Sequence, residues 1–223
     1  RTHEKSVAIC RLKRVTYDYK DDVEKYIPQS PKVKNGKRIA LIGAGPASLT
    51  VARDLLPLGY ECTIFEKDHK AGGLMRTNIP SFRLPADVLD EEIYRIINMG
   101  AELKLNSYIE KLKPVIDEYD SVFIGTGAPK GKDLKLKGRE ISSENIHIGI
   151  DWLTSIAFEH VKKIGKKVIV IGGGNTAMDC CRSALRLGAT DVKVTVRSPF
   201  SQMKASEWEI EETMEEGIPI LDN

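Results

Sequence analysis

The chain has 223 residues, 41% hydrophobic and 30% charged, with 34 basic side chains against 32 acidic ones and a net charge of +2. That is room for one large or two small globular domains, and the near balance of charge leaves no electrostatic footprint for nucleic acid or an anionic membrane surface. No apolar run approaches the ~20 residues that span a bilayer, no secretory leader is visible, and Cys10, Cys62, Cys180 and Cys181 form no C-x-x-C pair for zinc or dithiol chemistry.

Unpaired cysteines fit a reducing cytoplasm, and the Cys180-Cys181 pair reads as helix packing, since a free cysteine behaves as a small buried hydrophobe. The start at Arg1 and the stop at Asn223, just past the strand-like Ile218-Pro219-Ile220-Leu221, both read as cuts in a longer polypeptide.

Residues 1–36 form a lead-in. Val7, Cys10, Leu12, Val15 and Tyr19 recur at roughly helical spacing. Asp21, Asp22, Pro28, Pro31, Asn35 and Gly36 then mark a polar linker. A first unit is expected over residues 37–149. The apolar run Arg38 to Ile42 predicts a strand, and Pro46 to Leu58 a helix broken near Pro57 and Gly59. A second strand is predicted over Tyr60 to Glu66.

Gly72-Gly73 opens a loop through Pro80 and Pro85. Val88, Leu89, Ile93, Ile96 and Ile97 share one face of the next helix, and Gly100 suits the position after its C-cap. Glu102 to Tyr108 alternates like a strand, Tyr119 to Gly125 is an apolar strand, and Lys130 to Glu140 is a polar loop. A second unit is expected over residues 150–223. It opens with a helix over Ile150 to Ile164, then a strand over Lys167 to Ile171. A helix over Thr176 to Leu187 and a strand over Asp191 to Val196 follow. Ser206 and Glu209 are spaced as a capping box for a last helix ending at Gly217. Alternating strands and helices predict an α/β fold of two parallel sheets with covering helices.

Two glycine-rich turns carry the chemistry, 129 positions apart (172 − 43), each between a buried-type strand and a helix. The first is Gly43-Ala44-Gly45-Pro46-Ala47-Ser48. Gly43 permits the sharp turn, Gly45 lets the main chain approach a diphosphate, and the following helix offers unpaired N–H groups and a dipole of ~0.5 elementary charge. The third glycine of the usual fingerprint is replaced by Ser48, which predicts looser helix–strand packing. Glu66 lies 23 positions after Gly43 (66 − 43), where an acid accepts hydrogen bonds from a ribose.

In the second turn Gly172, Gly174 and Ala177 take the corresponding roles around Gly173, Asn175 and Thr176. Its second strand is followed by Arg197 and Ser198, not by Asp or Glu. An arginine there accommodates a 2′-phosphate, and Lys204 is the next cation along, which tilts the reading from NAD(H) towards NADP(H). His3, His69, His147 and His160 have no visible carboxylate or metal partner, so no metal site and no catalytic side chain is assigned.

These residues together resemble the flavoprotein portion of the glutamate synthase small (beta) subunit family, which extends to the N-terminal half of dihydropyrimidine dehydrogenases. The matching segments are Gly43 to Ser48, Ile64-Phe65-Glu66-Lys67, Gly72-Gly73-Leu74, Ile79 to Pro85, Gly173 to Asp179 and Ala184 to Gly188. The resemblance implies two Rossmann-like units, an FAD domain with an NAD(P) domain inserted in it. It places Ala44 to Ser48 at the FAD diphosphate and Glu66 at its ribose, with Lys67, Gly73, Leu74, Arg83 and Ile109 also at FAD. Gly173 to Thr176 would hold the nicotinamide cofactor's diphosphate, with Arg197, Ser198 and Lys204 near its adenosine end.

The resemblance also implies iron–sulfur clusters, held by an N-terminal domain whose cysteines this sequence lacks, or by a partner. A segment that completes the FAD domain is lacking too. The expected function is an FAD-dependent NAD(P)H oxidoreductase subunit passing electrons to such clusters, within a hetero-oligomeric complex with a larger oxidoreductase or iron–sulfur subunit. An electron-wiring FAD subunit without nicotinamide turnover is the alternative. A stand-alone disulfide reductase is disfavoured by the cysteine spacing.

Overall fold

The computed structural model describes residues 7–134 and 137–223. His3, with the start of the lead-in, and positions 135 and 136 of the polar loop lie outside the described residues. The lead-in carries helix α1 (Ile9–Asp18), which touches the rest of the chain through polar contacts: Tyr17 Oη donates to Glu91 at 2.8 Å and Lys20 pairs with Glu91 at 3.0 Å.

The first sheet is parallel, in the order β3-β2-β1-β4, from β1 (Arg38–Ile42), β2 (Glu61–Phe65), β3 (Glu102–Lys104) and β4 (Ser121–Ile124). Central β1 is buried from Ile39 to Ile42, as a strand covered on both faces must be. On one face Leu41 and Ile64 pack with Leu49, Ala52 and Leu56 of α2 (Pro46–Leu55) and the turn after it, and with Leu89 and Ile93 of α4 (Ala86–Asn98). Each fully buried Leu or Ile stabilises this core by ~1.5–3 kcal/mol. On the other face Ala40 and Ile42 meet Val115 and Tyr119, around α5 (Leu112–Glu118). A four-residue helix, α3 (Leu74–Thr77), interrupts the glycine–proline loop.

The second sheet is also parallel, in the order β5-β6-β7, from β5 (Lys167–Ile171), β6 (Asp191–Thr195) and β7 (Ile220–Leu221). Val192 and Val194 face a core built with Trp152 and Leu153 of α6 (Gly149–Ala157), Met178 and Cys181 of α7 (Asn175–Arg186), and Ile210 of α8 (Glu207–Glu215). The opposite face is bare, with Ile169 and Ile171 of β5 and Leu221 of β7 exposed.

The structure corrects several expectations. The strand foreseen over 102–108 stops at Lys104. Asn106 takes a φ of 52°, and the chain bonds instead to the loop after β2, Asn106 N–H to Asp68 O and Ser107 N–H to Glu66 O. The helix foreseen over 150–164 ends at Ala157, because the Ser155 carbonyl receives the N–H of both His160 and Val161 while Glu159 turns to a φ of 59°. The capping box does not form. Ser206 is the N-cap of α8 without a side-chain cap bond, and its N–H goes to Asn175 Oδ1 at 2.8 Å. Glu209 is drawn away by two arginines. Helix α5 was not foreseen, as Pro114 in so short an apolar pattern reads as a break.

Candidate functional site: two glycine cradles

The first cradle lies where three stretches of backbone cross. Gly43 holds a φ of +94°, and a Cβ there would stand 2.7 Å from the Gly125 carbonyl oxygen at the end of β4. Gly73 holds a φ of +53°, and its Cβ would stand 2.8 Å from Gly45 Cα. Side chains at either position would push these backbones apart. Gly45 is the extended N-cap of α2, and Pro46 fills the first helical position, where an N–H has no use. The first helical bond runs from Leu49 N–H to Gly45 O at 3.1 Å. Ala47 and Ser48 therefore have N–H groups without an intrahelical partner.

Glu66 is buried beneath this turn. Its Oε2 accepts the Ala44 N–H at 2.7 Å and its Oε1 the Asp68 N–H at 3.0 Å. Ala44's N–H is thus already engaged, and each carboxylate oxygen retains a second lone pair for another donor. Ser48 sits against Gly125, where a Cβ would fall 2.2 Å from Ser48 Oγ. The missing third glycine has a counterpart on the neighbouring strand, so packing at Ser48 is close and not looser as expected. Ser48 Oγ is the one buried side-chain polar atom without a hydrogen-bond partner among the described residues. Lys67 and Leu74 are exposed beside the cradle, and Ile109 packs partly buried on the cluster of Ala40 and Val115.

The second cradle repeats the plan. Gly172 holds a φ of +142° and donates its N–H to Thr195 O. A Cβ on Gly173 would stand 2.4 Å from Val196 Cγ1. The Gly173 carbonyl receives the N–H of Lys204 and of Ala205, both at 2.9 Å, which brings the 203–205 segment over the turn. Gly174 is the extended N-cap of α7 and has nothing within 4 Å where a Cβ would stand. Asn175 is tied to Ser206 by two hydrogen bonds, and Thr176 is exposed. Arg197 and Lys204 are exposed with no ion-pair partner among the described residues, and Ser198 lies between exposed and buried.

Arg83 reaches from the proline-flanked loop to the second unit. Its Nη1 bonds both oxygens of Asp179 on α7, at 2.7 and 2.9 Å, and its Nη2 meets Glu209 of α8 at 2.5 Å. Burial pushes the Asp179 carboxyl above its ordinary value, and Arg83 opposes that shift. Gly125, Asp179 and Glu209 were not assigned from sequence as site residues. The Gly125-Thr126-Gly127 run at a strand end and the matching segment that ends at Asp179 were the local signals, while Glu209 was read as a cap residue.

The cysteines offer no dithiol. Cys180 and Cys181 are buried with thiols pushed up to about 12, and Cys62 to about 11, all chiefly by burial. Cys10 alone is exposed. His69 and His160 are exposed with ring centres 4.7 and 6.2 Å from that of Phe158, and His147 is exposed. Among the described residues no cluster of His, Cys, Asp or Glu could hold a metal ion, and no helix is long and apolar enough to cross a membrane.

Two parallel sheets, each opening into a helix N-terminus through its own glycine turn, are the plan of two dinucleotide-binding units. The chain matches the pyridine nucleotide-disulphide oxidoreductase family over residues 37–223 and belongs to it; the family binds FAD and NAD(P).

Among curated proteins it is 36% identical over 219 residues to the NADPH-Fe(3+) oxidoreductase subunit beta of Geobacter sulfurreducens, covering 96% of this chain and 33% of that protein. It is 34% identical to the NAD-dependent dihydropyrimidine dehydrogenase subunit PreT of Salmonella typhimurium, over 98% of this chain and 53% of the relative. It is 32% identical to the glutamate synthase [NADPH] small chain of Azospirillum brasilense, over 89% and 46%. The last two belong to the groups that the sequence resembles. The chain spans about a third to a half of the length of these relatives. Among solved structures, a 2-naphthoyl-CoA reductase aligns at a TM-score of 0.68 and 23% identity, over 91% of this chain and 30% of that one. Lactococcus lactis thioredoxin reductase aligns at 0.58 and 18%, over 83% and 66%. These two share the fold.

Proposed function

We propose that the chain is the cofactor-holding part of an FAD-dependent NAD(P)H oxidoreductase subunit, with residues 37–149 as the flavin unit and 150–223 as the nicotinamide unit. The observation that carries this reading is the pair of cradles, each approachable through a glycine of open surroundings. A Cβ on Gly45 would have its nearest neighbours at 3.9 Å, and one on Gly174 none within 4 Å. A diphosphate needs that close backbone approach and the positive end of a helix. When bound, a flavin supplies the exchange between a two-electron hydride donor and one-electron acceptors.

The chain's own residues have simpler tasks. Ala47 and Ser48 offer main-chain N–H groups to the first diphosphate. Glu66 offers its remaining lone pairs to a ribose while keeping the turn in place. Gly173 to Thr176 receive the second diphosphate. Arg197 and Lys204, unpaired and flanking the second turn, suit a 2′-phosphate, and Ser198 adds a hydroxyl. No side chain is required to move a proton in the hydride step, so none is named as catalytic.

Relatives named as subunits, of which this chain matches only a part, support a hetero-oligomeric setting with an iron–sulfur subunit or larger oxidoreductase as electron acceptor. Unpaired thiols, three of them buried, support a reducing cytoplasm.

The test is anaerobic titration of the full-length, flavin-loaded protein with NADPH and NADH. Bleaching of the flavin absorbance is expected, with NADPH preferred. Arg197→Ala should raise the NADPH concentration for half-reduction about tenfold, as one charge-assisted contact is lost, and leave NADH unaffected. A flavin that neither nicotinamide bleaches would instead identify an electron-wiring subunit.

A further inference from the structure

Besides the packing of α3 against α6 and of the His69 ring against Phe158, the two units meet through a closed ring of polar contacts. Arg83, on the proline-flanked loop of the first unit, holds Asp179 of α7 through Nη1 and Glu209 of α8 through Nη2. Asp179 lies four positions, one helical turn, beyond Asn175 at the start of α7 (179 − 175). Asn175 is bonded twice to Ser206, the N-cap of α8. Glu209 lies three positions beyond Ser206 (209 − 206) and returns to Arg83. The circuit thus passes from the first unit, through one turn of α7, across the second glycine cradle and back along α8.

Both carboxylates are at least nine-tenths buried. The neighbouring Phe82 ring lies under the guanidinium groups of Arg186 and Arg182, 3.9 and 4.9 Å from its centroid. The loop is pre-shaped by the Arg83 and Leu84 N–H groups, which both bond the Pro80 carbonyl.

An apolar contact would resist separation but tolerate sliding. A planar guanidinium divided between two buried carboxylates on different helices fixes distance and angle together. Lysine cannot reproduce that fork. We propose that Arg83, with Asp179 and Glu209, is an orientation clamp that sets the angle between the nicotinamide cradle and the flavin unit. It makes Arg83 a positioning residue whose hydrogen-bond and ion-pair partners lie in the opposite unit. The proposal rests on the flavin–nicotinamide reading above and adds to it the device that aligns the two rings. A misalignment of ~1 Å can slow such a step by as much as ~100-fold.

The test uses Arg83→Lys, Asp179→Asn and Glu209→Gln in the full-length, flavin-loaded protein. Three quantities are read: flavin retained per chain, the rate of flavin bleaching at saturating NADPH, and amide hydrogen exchange over residues 79–84 and 204–206. The expected result is full flavin content in all three variants, bleaching slowed roughly ten- to a hundredfold, and faster exchange in both segments together. Reduction by dithionite should be unchanged.

The proposal is overturned if exchange and bleaching match the unsubstituted protein. It is also overturned if Arg83→Lys sheds flavin while Asp179→Asn keeps it, which would assign Arg83 to the flavin. Should Glu209→Gln unfold α8, the other two variants carry the same comparison. Absence of bleaching in the unsubstituted protein would remove the relay reading. The exchange data would still decide whether the clamp exists.

Discussion

Ser48 and Gly125 form a matched pair: a hydroxymethyl group on a helix occupies the space that a side chain on the adjoining strand end would need. Gly125→Ala should destabilise the protein by ~1–3 kcal/mol through overpacking. Ser48→Gly should recover much of that loss in the double variant, a non-additivity that urea denaturation of the four proteins would measure. Glu66 makes a second prediction. Glu66→Ala strands the Ala44 and Asp68 N–H groups next to a loop that it no longer props. A loss of ~2 kcal/mol or more is expected, with lower flavin content at equal protein concentration. At this scale the sequence was informative where one residue type has one use. The turn at Gly43 and the helix start at Gly45 could be read from spacing alone. The Ser48–Gly125 match could not, because the two residues are 77 positions apart (125 − 48) and only the parallel pairing of β1 with β4 brings them together.

Helices α7 and α8 are joined by charges whose responses to acid differ in sign. Glu216 is held below the ordinary carboxylate range by Arg186 first, with Arg182 adding to the effect and partial burial opposing it. Its folded pKa is depressed, so it contributes stability above the unfolded value that is lost as pH falls through the folded one. Asp179 runs the other way. Burial raises its pKa, so its ionised form weakens the fold at neutral pH and protonation relieves that strain as pH falls through the folded value. Glu216→Gln should therefore flatten the acid limb of a melting-temperature profile, whereas Asp179→Asn should not. Element boundaries were legible where caps or glycines end them, as at Gly45 for α2 and Gly100 after α4. They were misread at Tyr108 and Ile164. There apolar alternation continues in the sequence, but the main chain has already found partners off the sheet or the helix.

Among the described residues the cores of the two units remain separate. The first unit gathers its buried clusters between Ile39 and Tyr119, the second between Trp152 and Ile218, and no buried residue belongs to clusters of both. The interface between the units joins the polar ring to the packing of α3 on α6 and of His69 on Phe158, and contacts between domains permit relative motion unless they are pinned. Calorimetry should resolve two overlapping unfolding transitions, and Arg83→Lys should move them further apart. The bare face of the second sheet gives a further expectation. Ile169→Glu, placed opposite Lys193 in register, should leave stability within ~0.5 kcal/mol and reduce light scattering at high concentration. Sequence alternation revealed two parallel sheets, yet it could not reveal the ring around Arg83. That ring depends on three acquaintances distant in the chain: a loop near residue 83, a helix near 179 and another near 209. The separation of the cores bears also on how the molecule is made. During synthesis the segment that builds the first core is translated before the second, so that core can begin to form while its neighbour is still being assembled.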